Sequence, residues 1–184
     1  MGKLIYGMNT SLDGYIADER GDFDWSAPDA EVHAYINALT ASAGTHLYGR
    51  RMYEVMLAWE SIELEGEPAE IRDFAAQWRE ADKVVYSRTL SEVSSARTHL
   101  EREFDADGIR ALKDNVESDI LIAGPDLARH AFLANLVDKC HLFVSPVVVG
   151  GGKPAFSQGL RVDLDLVQQR TFDSGVIHLG YRVR

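Results

Sequence analysis

Three short segments combine glycine, hydroxyl and guanidinium groups in ways that could hold phosphate. Tyr48-Gly49-Arg50-Arg51 places a glycine and two cations where a strand-like run gives way to a helical one. Free N–H groups and the helix dipole attract anions at such a point. Tyr86-Ser87-Arg88-Thr89 places two hydroxyls and a guanidinium after a second strand-like run, and arginine can grip a phosphate through two parallel bonds. Ala123-Gly124-Pro125-Asp126 is a third strand-to-helix turn, where Gly124 lets a ligand approach the backbone closely. One such turn is a weak signal. Three in one chain of formal charge −10 point to a dinucleotide, with Arg50, Arg51 and Arg88 as a local cationic site. A cationic pocket favours NADPH, whose 2′-phosphate needs a partner, over NADH. The plainer alternative is that these arginines form surface ion pairs and the glycines only serve turns.

These turns need strands and helices to carry them, and the pattern supplies both in alternation. Residues 3–9 form an apolar run of strand length, followed by residues 11–17 with Gly14 as a bend. Ser26, Pro28 and Asp29 read as a helix start, with Ser26 as cap. Val32, Tyr35, Ile36 and Leu39 then recur on one helical face. Further strands are expected at 45–48, 83–87, 120–123 and 141–149, with helices at 50–59, around Ile71 to Trp78, from Asp105 to Val116, and from Asp126 through Leu136. The C-terminal runs 164–172 and 176–183 flank Asp173-Ser174-Gly175 and predict an antiparallel hairpin, with Ile177, Leu179, Tyr181 and Val183 on its buried face. The expected fold is α/β: three layers, α/β/α, with a mostly parallel central sheet and an antiparallel C-terminal hairpin. Residues 1–184 read as one domain, with no repeat or linker.

Composition narrows the function. Nineteen Lys+Arg against twenty-nine Asp+Glu disfavour nucleic acid, which requires clustered cations, and an anionic membrane surface. The single cysteine, Cys140, excludes an intrachain disulfide and fits a reducing, cytoplasmic setting; it reads as a packed thiol. No run approaches the ~18 apolar residues of a spanning helix. The six histidines show no metal-ligand spacing, so no metal is expected. Trp59 and Trp78 read as core or interface residues.

The order of the motifs carries a resemblance. Met8-Asn9-Thr10-Ser11-Leu12-Asp13-Gly14-Tyr15-Ile16-Ala17, the Gly49-Arg50-Arg51 and Ser87-Arg88-Thr89 turns, Gly124-Pro125-Asp126-Leu127, and Pro146 to Phe156 with its three glycines run in sequence along the chain. The chain resembles the dihydrofolate reductase fold, in particular the reductase domain of the riboflavin-biosynthesis deaminase–reductase and its stand-alone relatives. The resemblance implies NADPH held by Gly49, Arg50, Arg51, Ser87, Arg88, Thr89, Gly124, Asp126 and Leu127, with Gly150 and Gly151 nearby and the nicotinamide beside Asn9 and Ile16. Substrate would lie over it, walled by Trp25 and the helix carrying Tyr35. Pro125 departs from the family's Gly-Gly turn and removes one donor. The family's folate-binding acid aligns with Ala30, one residue after Asp29, and one helical step rotates a side chain by ~100°. The arginines that serve a ribose phosphate in the riboflavin reductases have no counterpart either after Pro28, where Asp29-Ala30-Glu31 stands, or in Met52 to Glu60.

The activity implied is hydride transfer to a small heterocyclic or C=N substrate, resembling reduction of 5-amino-6-(5-phosphoribosylamino)uracil or of dihydrofolate. Asp13 is the first candidate proton donor and Asp29 the second. Asp13 equally fits a turn aspartate bonded to nearby backbone ahead of Gly14. An NADPH-binding module of the same fold with little activity is the alternative, and a non-enzymatic scaffold a third. A homodimer is expected, through the hairpin edge or neighbouring apolar helices.

Overall fold

The computed structural model describes residues 1–184. Strands β1 (Leu4–Ser11), β3 (Ala43–Gly49), β4 (Asp82–Tyr86), β5 (Thr98–Glu101), β6 (Asp119–Ala123) and β7 (Lys139–Ser145) are joined by helices or longer crossovers, and each neighbouring pair among them runs parallel. The hairpin of β9 (Leu164–Thr171) and β10 (Ile177–Val183) adds two antiparallel strands beyond β7. The eight strands lie in the order β5-β4-β3-β6-β1-β7-β10-β9. A small second sheet pairs β2 (Tyr15–Ala17) with β8 (Lys153–Pro154).

Because the parallel strands are covered on both faces, they alternate between two buried environments. Leu4, Tyr6, Leu47, Ile120, Ile122 and Cys140 point to one face and pack against α5 (Ala106–Asn115) and α6 (Pro125–Leu133). The Cys140 thiol is fully buried there, and burial pushes its pKa up to about 12. On the other face Tyr48 and Val85 meet Tyr53 of α2 (Arg50–Met56) and Trp78 of α4 (Ala69–Glu80). Phe143 and Phe172 meet Val32 of α1 (Ala30–Thr40) on that face. Short α3 (Ala58–Ser61) leads toward α4. No helix is long and apolar enough to cross a membrane.

The layers and the hairpin agree with expectation; several local features do not. The cap of α1 is Asp29, whose carboxylate accepts from the Val32 amide at 2.8 Å. Ser26 instead belongs to a 3-10 turn, Asp24–Ser26, and donates its hydroxyl to the Phe23 carbonyl. The apolar run after Cys140 ceases to be strand at Ser145, because Pro146 has no N–H to continue the ladder, and Val148 is exposed. Strand β5 carries Thr, His, Leu and Glu, too polar and too short to stand out. In β10 the buried positions are His178 and Gly180, while Ile177 is exposed. Leu179, Tyr181 and Val183 face the opposite way, and Tyr181 and Val183 pack against the α5/α6 core. The hairpin therefore has two partly covered faces, and the polar one holds the more deeply buried side chain.

Candidate functional site

The parallel strands end together, and their C-terminal ends open into a cleft of about 2280 Å³. At one end of it lie the three turns. Gly49 precedes α2 with no side-chain cap on the helix amides. Arg50 extends to Glu54 (2.7 Å) and to the Thr89 hydroxyl (2.9 Å), tying the first turn to the second. Ser87 orders its own loop: its hydroxyl oxygen accepts from the Leu90 amide at 3.0 Å. Arg102, which sequence reading missed, braces the same loop by donating to the Ser87 and Leu90 carbonyls at 3.0 and 2.5 Å. Arg88 faces only Glu103, at 3.4 Å with both side chains nearly four-fifths exposed. Such a pair contributes little and leaves the guanidinium available.

The third turn relies on backbone shape. Gly124 has φ +97°, a conformation that side chains resist, and Pro125 occupies the first turn of α6 without needing its N–H. Asp126 in that turn pairs with Lys153 from β8. Lys153, like Arg102, is a wall cation that the sequence motifs left unassigned. Gly49, Arg50, Arg51, Ser87, Arg88, Thr89, Gly124, Asp126 and Leu127 all line this cleft, as do Asn9 and Ile16. The fit for a dinucleotide is physical: Arg50, Arg51, Arg88 and Lys153 beside the three turns, an uncapped helix start, and glycines where close approach is needed.

The other expected residues sit elsewhere. Asp13 is exposed and off the cleft wall. Its carboxylate accepts from the Gly150 amide at 2.8 Å and the Val149 amide at 3.2 Å. The Ser11 hydroxyl and these two amides hold its pKa below the usual carboxylate range. Asp13 thus secures the glycine turn rather than facing the cleft; Gly150 and Gly151 lie off the wall, where Gly152 and Lys153 reach it. Asp29 caps α1, and the Val32 amide and Ser174 hydroxyl hold its pKa low. Trp25 donates its indole N–H to the Asp22 carbonyl at 3.2 Å and, like Tyr35, does not line the cleft. Tyr35 is turned toward β10, its hydroxyl 3.2 Å from His178 Nδ1.

What lines the other end instead is aromatic. His33 packs edge-on against Trp59 and tilted against Phe74. His46 of β3 and His141 of β7 stand on the sheet floor, both less than a tenth exposed. Burial first, then Lys83, lowers the pKa of His46 to about 4. Burial first, then His178 and Lys139, lowers that of His141 to about 4. Both imidazoles are neutral at pH 7. Their signal in the sequence is period-two alternation: His46 with Tyr48, and His141 with Phe143, put their side chains on one face of the sheet.

The chain matches the family model of the RibD C-terminal domain over residues 2–178. It is 30% identical over 184 residues to the uncharacterized protein YyaP of Bacillus subtilis, covering 97% of this chain and 94% of that one. Among solved structures it is similar to a putative riboflavin biosynthesis protein from Shewanella sp. PV-4, at 23% identity, TM-score 0.77 and 99% coverage of both chains. It also shares the fold of a dihydrofolate reductase from Enterococcus faecalis complexed with NADP(H), at 15% identity, TM-score 0.66, covering 100% of this chain and 97% of that one. With its reductase-type fold and a cleft at the strand ends where the three turns meet, the chain belongs to the RibD C-terminal domain family.

Proposed function

We propose that this protein is an NADPH-dependent reductase that transfers hydride to a small heterocyclic or C=N substrate. The observation that carries the reading is the convergence of the Gly49, Ser87 and Gly124 turns on one cleft wall, with Arg50, Arg51, Arg88 and Lys153 beside them. Arg88, held only by an exposed pair with Glu103, is the residue assigned to the adenosine 2′-phosphate. The uncapped start of α2 and the Asp126 and Leu127 amides of α6 serve the pyrophosphate. NADPH, when bound, supplies the hydride. The chain's own contribution is orientation and exclusion of water: Asn9, fixed by its bond to the Ser26 carbonyl, lines the cleft, and His33, Trp59 and Phe74 form an aromatic wall of it. That wall carries no arginine pair for a ribose phosphate, so an uncharged heterocycle suits it better than a phosphorylated one.

Titration of the purified protein with NADPH and NADH in parallel, followed by tryptophan fluorescence, tests the reading. Micromolar binding of NADPH with clear preference over NADH is expected. Binding of neither would leave the turns structural and overturn it. Oxidation of NADPH across a panel of pteridines, aminouracils and quinones then separates a reductase from a binding module.

A further inference from the structure

Reduction by hydride also needs a proton, and the two aspartates first considered for it lie off the cleft wall. A chain of hydrogen bonds runs between the cleft and the outer strand on the α1 face of the sheet. Gln168 Nε2, exposed on β9, donates to the Tyr35 hydroxyl at 2.7 Å. The Tyr35 hydroxyl lies 3.2 Å from His178 Nδ1. His178 Nε2 lies 2.9 Å from His141 Nδ1. His141 Nε2 has no partner in the protein, is not sealed from solvent, and belongs to a ring on the cleft wall.

The chemistry of the groups gives this chain a direction. With the Gln168 amide donating to one lone pair of the Tyr35 oxygen, a Tyr35 O–H directed at His178 lets every bond in the chain point the same way. His178 Nδ1 is then the acceptor, its Nε2–H is the donor, and His141 Nδ1 accepts in turn. In a neutral imidazole the remaining proton must sit on the other nitrogen, so His141 presents Nε2–H to the cleft. The surroundings maintain this order. The His178 ring is fully buried between Tyr35 and Phe143. Gly180 pairs with His141 across β7 and β10, and a Cβ there would lie 3.1 Å from His141 Nδ1. Arg170, paired with Glu31, covers the Tyr35 ring at 4.9 Å.

We infer that His141 is the proton donor to the substrate, and that His178 and Tyr35 are the positioning residues that fix its tautomer and replace its proton. This rests on the reductase reading above. In the step, the bond from His141 Nε2 to hydrogen breaks and a bond from that hydrogen to the substrate heteroatom forms. The N–H electron pair stays on Nε2, and both electrons of the reduction come from the nicotinamide hydride. A neutral imidazole giving up this proton alone would become an anion in a buried site. The shift of the His178 Nε2 proton to His141 Nδ1, of the Tyr35 proton to His178 Nδ1, and of a proton from solvent water to Tyr35, with the hydroxide left to the bulk solvent, keeps every ring neutral. Once product leaves, solvent in the open cleft reprotonates His141 Nε2 and the chain relaxes outward.

The test reads the tautomers by nitrogen-15 NMR of histidine-labelled protein at pH 7, without cofactor. Both His141 and His178 are expected as Nε2–H. Gln168→Glu puts an acceptor where a donor stands, draws the Tyr35 proton outward, and is expected to turn both rings to Nδ1–H. A packing role would not move the His141 tautomer from a surface site three hydrogen bonds away. His141 found as Nδ1–H in the wild type, or unaltered by Gln168→Glu, overturns the proposal. NADPH oxidation with a dihydropteridine acceptor supplies the second readout. His141→Gln is expected to lower the turnover rate by about 100-fold, with NADPH affinity unchanged. Undiminished turnover in this variant overturns the role of His141, whereas Asp24→Asn abolishing it would assign the proton to that exposed wall carboxylate. Failure of the wild type to bind NADPH defeats the reductase reading itself, and is seen in the titration independently of the tautomers.

Discussion

Arg88 and Arg102 illustrate how much a residue's type says and how much only its neighbours say. Both are arginines near the second turn, yet Arg102 spends its guanidinium on two backbone carbonyls, while Arg88 meets only Glu103 across an exposed gap. The motif made Arg88 legible; nothing in the sequence marks Arg102 as the brace of the loop. If Arg88 reads the 2′-phosphate, Arg88→Ala weakens NADPH binding about tenfold and NADH binding less than twofold. Equal losses by fluorescence titration would remove that assignment. Arg102→Ala, by contrast, frees the loop and weakens both cofactors alike. The same contrast explains the aspartates. Asp13 and Asp29 lie in the right motifs, but their carboxylates are taken by backbone amides at a glycine turn and a helix start. Asp29 makes the local bond that short polar side chains favour at a helix start, whereas Asp13 reaches the Val149 and Gly150 amides far along the chain, partners that nothing in the sequence marks.

At the scale of elements, periodicity carried the parallel strands and the longer helices, because each buries a face that repeats. It misplaced the face of β10 for the same reason. Ile177, Leu179, Tyr181 and Val183 alternate as a buried face should, yet His178 is fully buried between them, because its two ring nitrogens find partners in Tyr35 and His141. Hydropathy counts a histidine as polar whether or not its bonds are met inside. The glycine turn after β7 shows a second limit. Gly150, Gly151 and Gly152 look alike in sequence, but a Cβ on Gly150 meets open space, whereas one on Gly152 would lie 2.2 Å from the Ala17 carbonyl oxygen. That backbone cannot yield without parting β2 from β8. Gly152→Ala is therefore expected to destabilise the fold by about 2–3 kcal/mol, and Gly150→Ala, strained at φ +81° but unobstructed, by about 1 kcal/mol. Urea midpoints at constant m-value measure both; equal effects would mean that the turn shifts to accommodate a side chain at either position.

For the whole molecule, the arrangement that builds the cleft floor also sets how stability responds to acid. His46 and His141 fold with pKa values of about 4, against about 6.5 in an unfolded chain. The folded state thus binds fewer protons than the unfolded state between these limits. Stability from the neutral rings is complete above pH 6.5, falls as the unfolded chain takes up protons, and is lost by about pH 4. One such group costs about 1.4 kcal/mol per pH unit within this window, so the two together approach about 3 kcal/mol per unit in its middle. His33 and His178, also lowered by burial, steepen the loss. Urea unfolding at pH 7, 6, 5 and 4.5 measures the slope, and His46→Gln should remove one proton from it while leaving the remainder intact. The carboxylates Asp13, Asp29 and Asp165, lowered by their hydrogen bonds, act by the same sign in a separate, more acidic window below pH 4. A stability curve flat from pH 7 to 5 would mean that these imidazoles are charged or solvated in the folded protein. The cleft floor would then hold water among its histidines, and the neutral hydrogen-bond chain from Tyr35 to His141 could not persist at neutral pH.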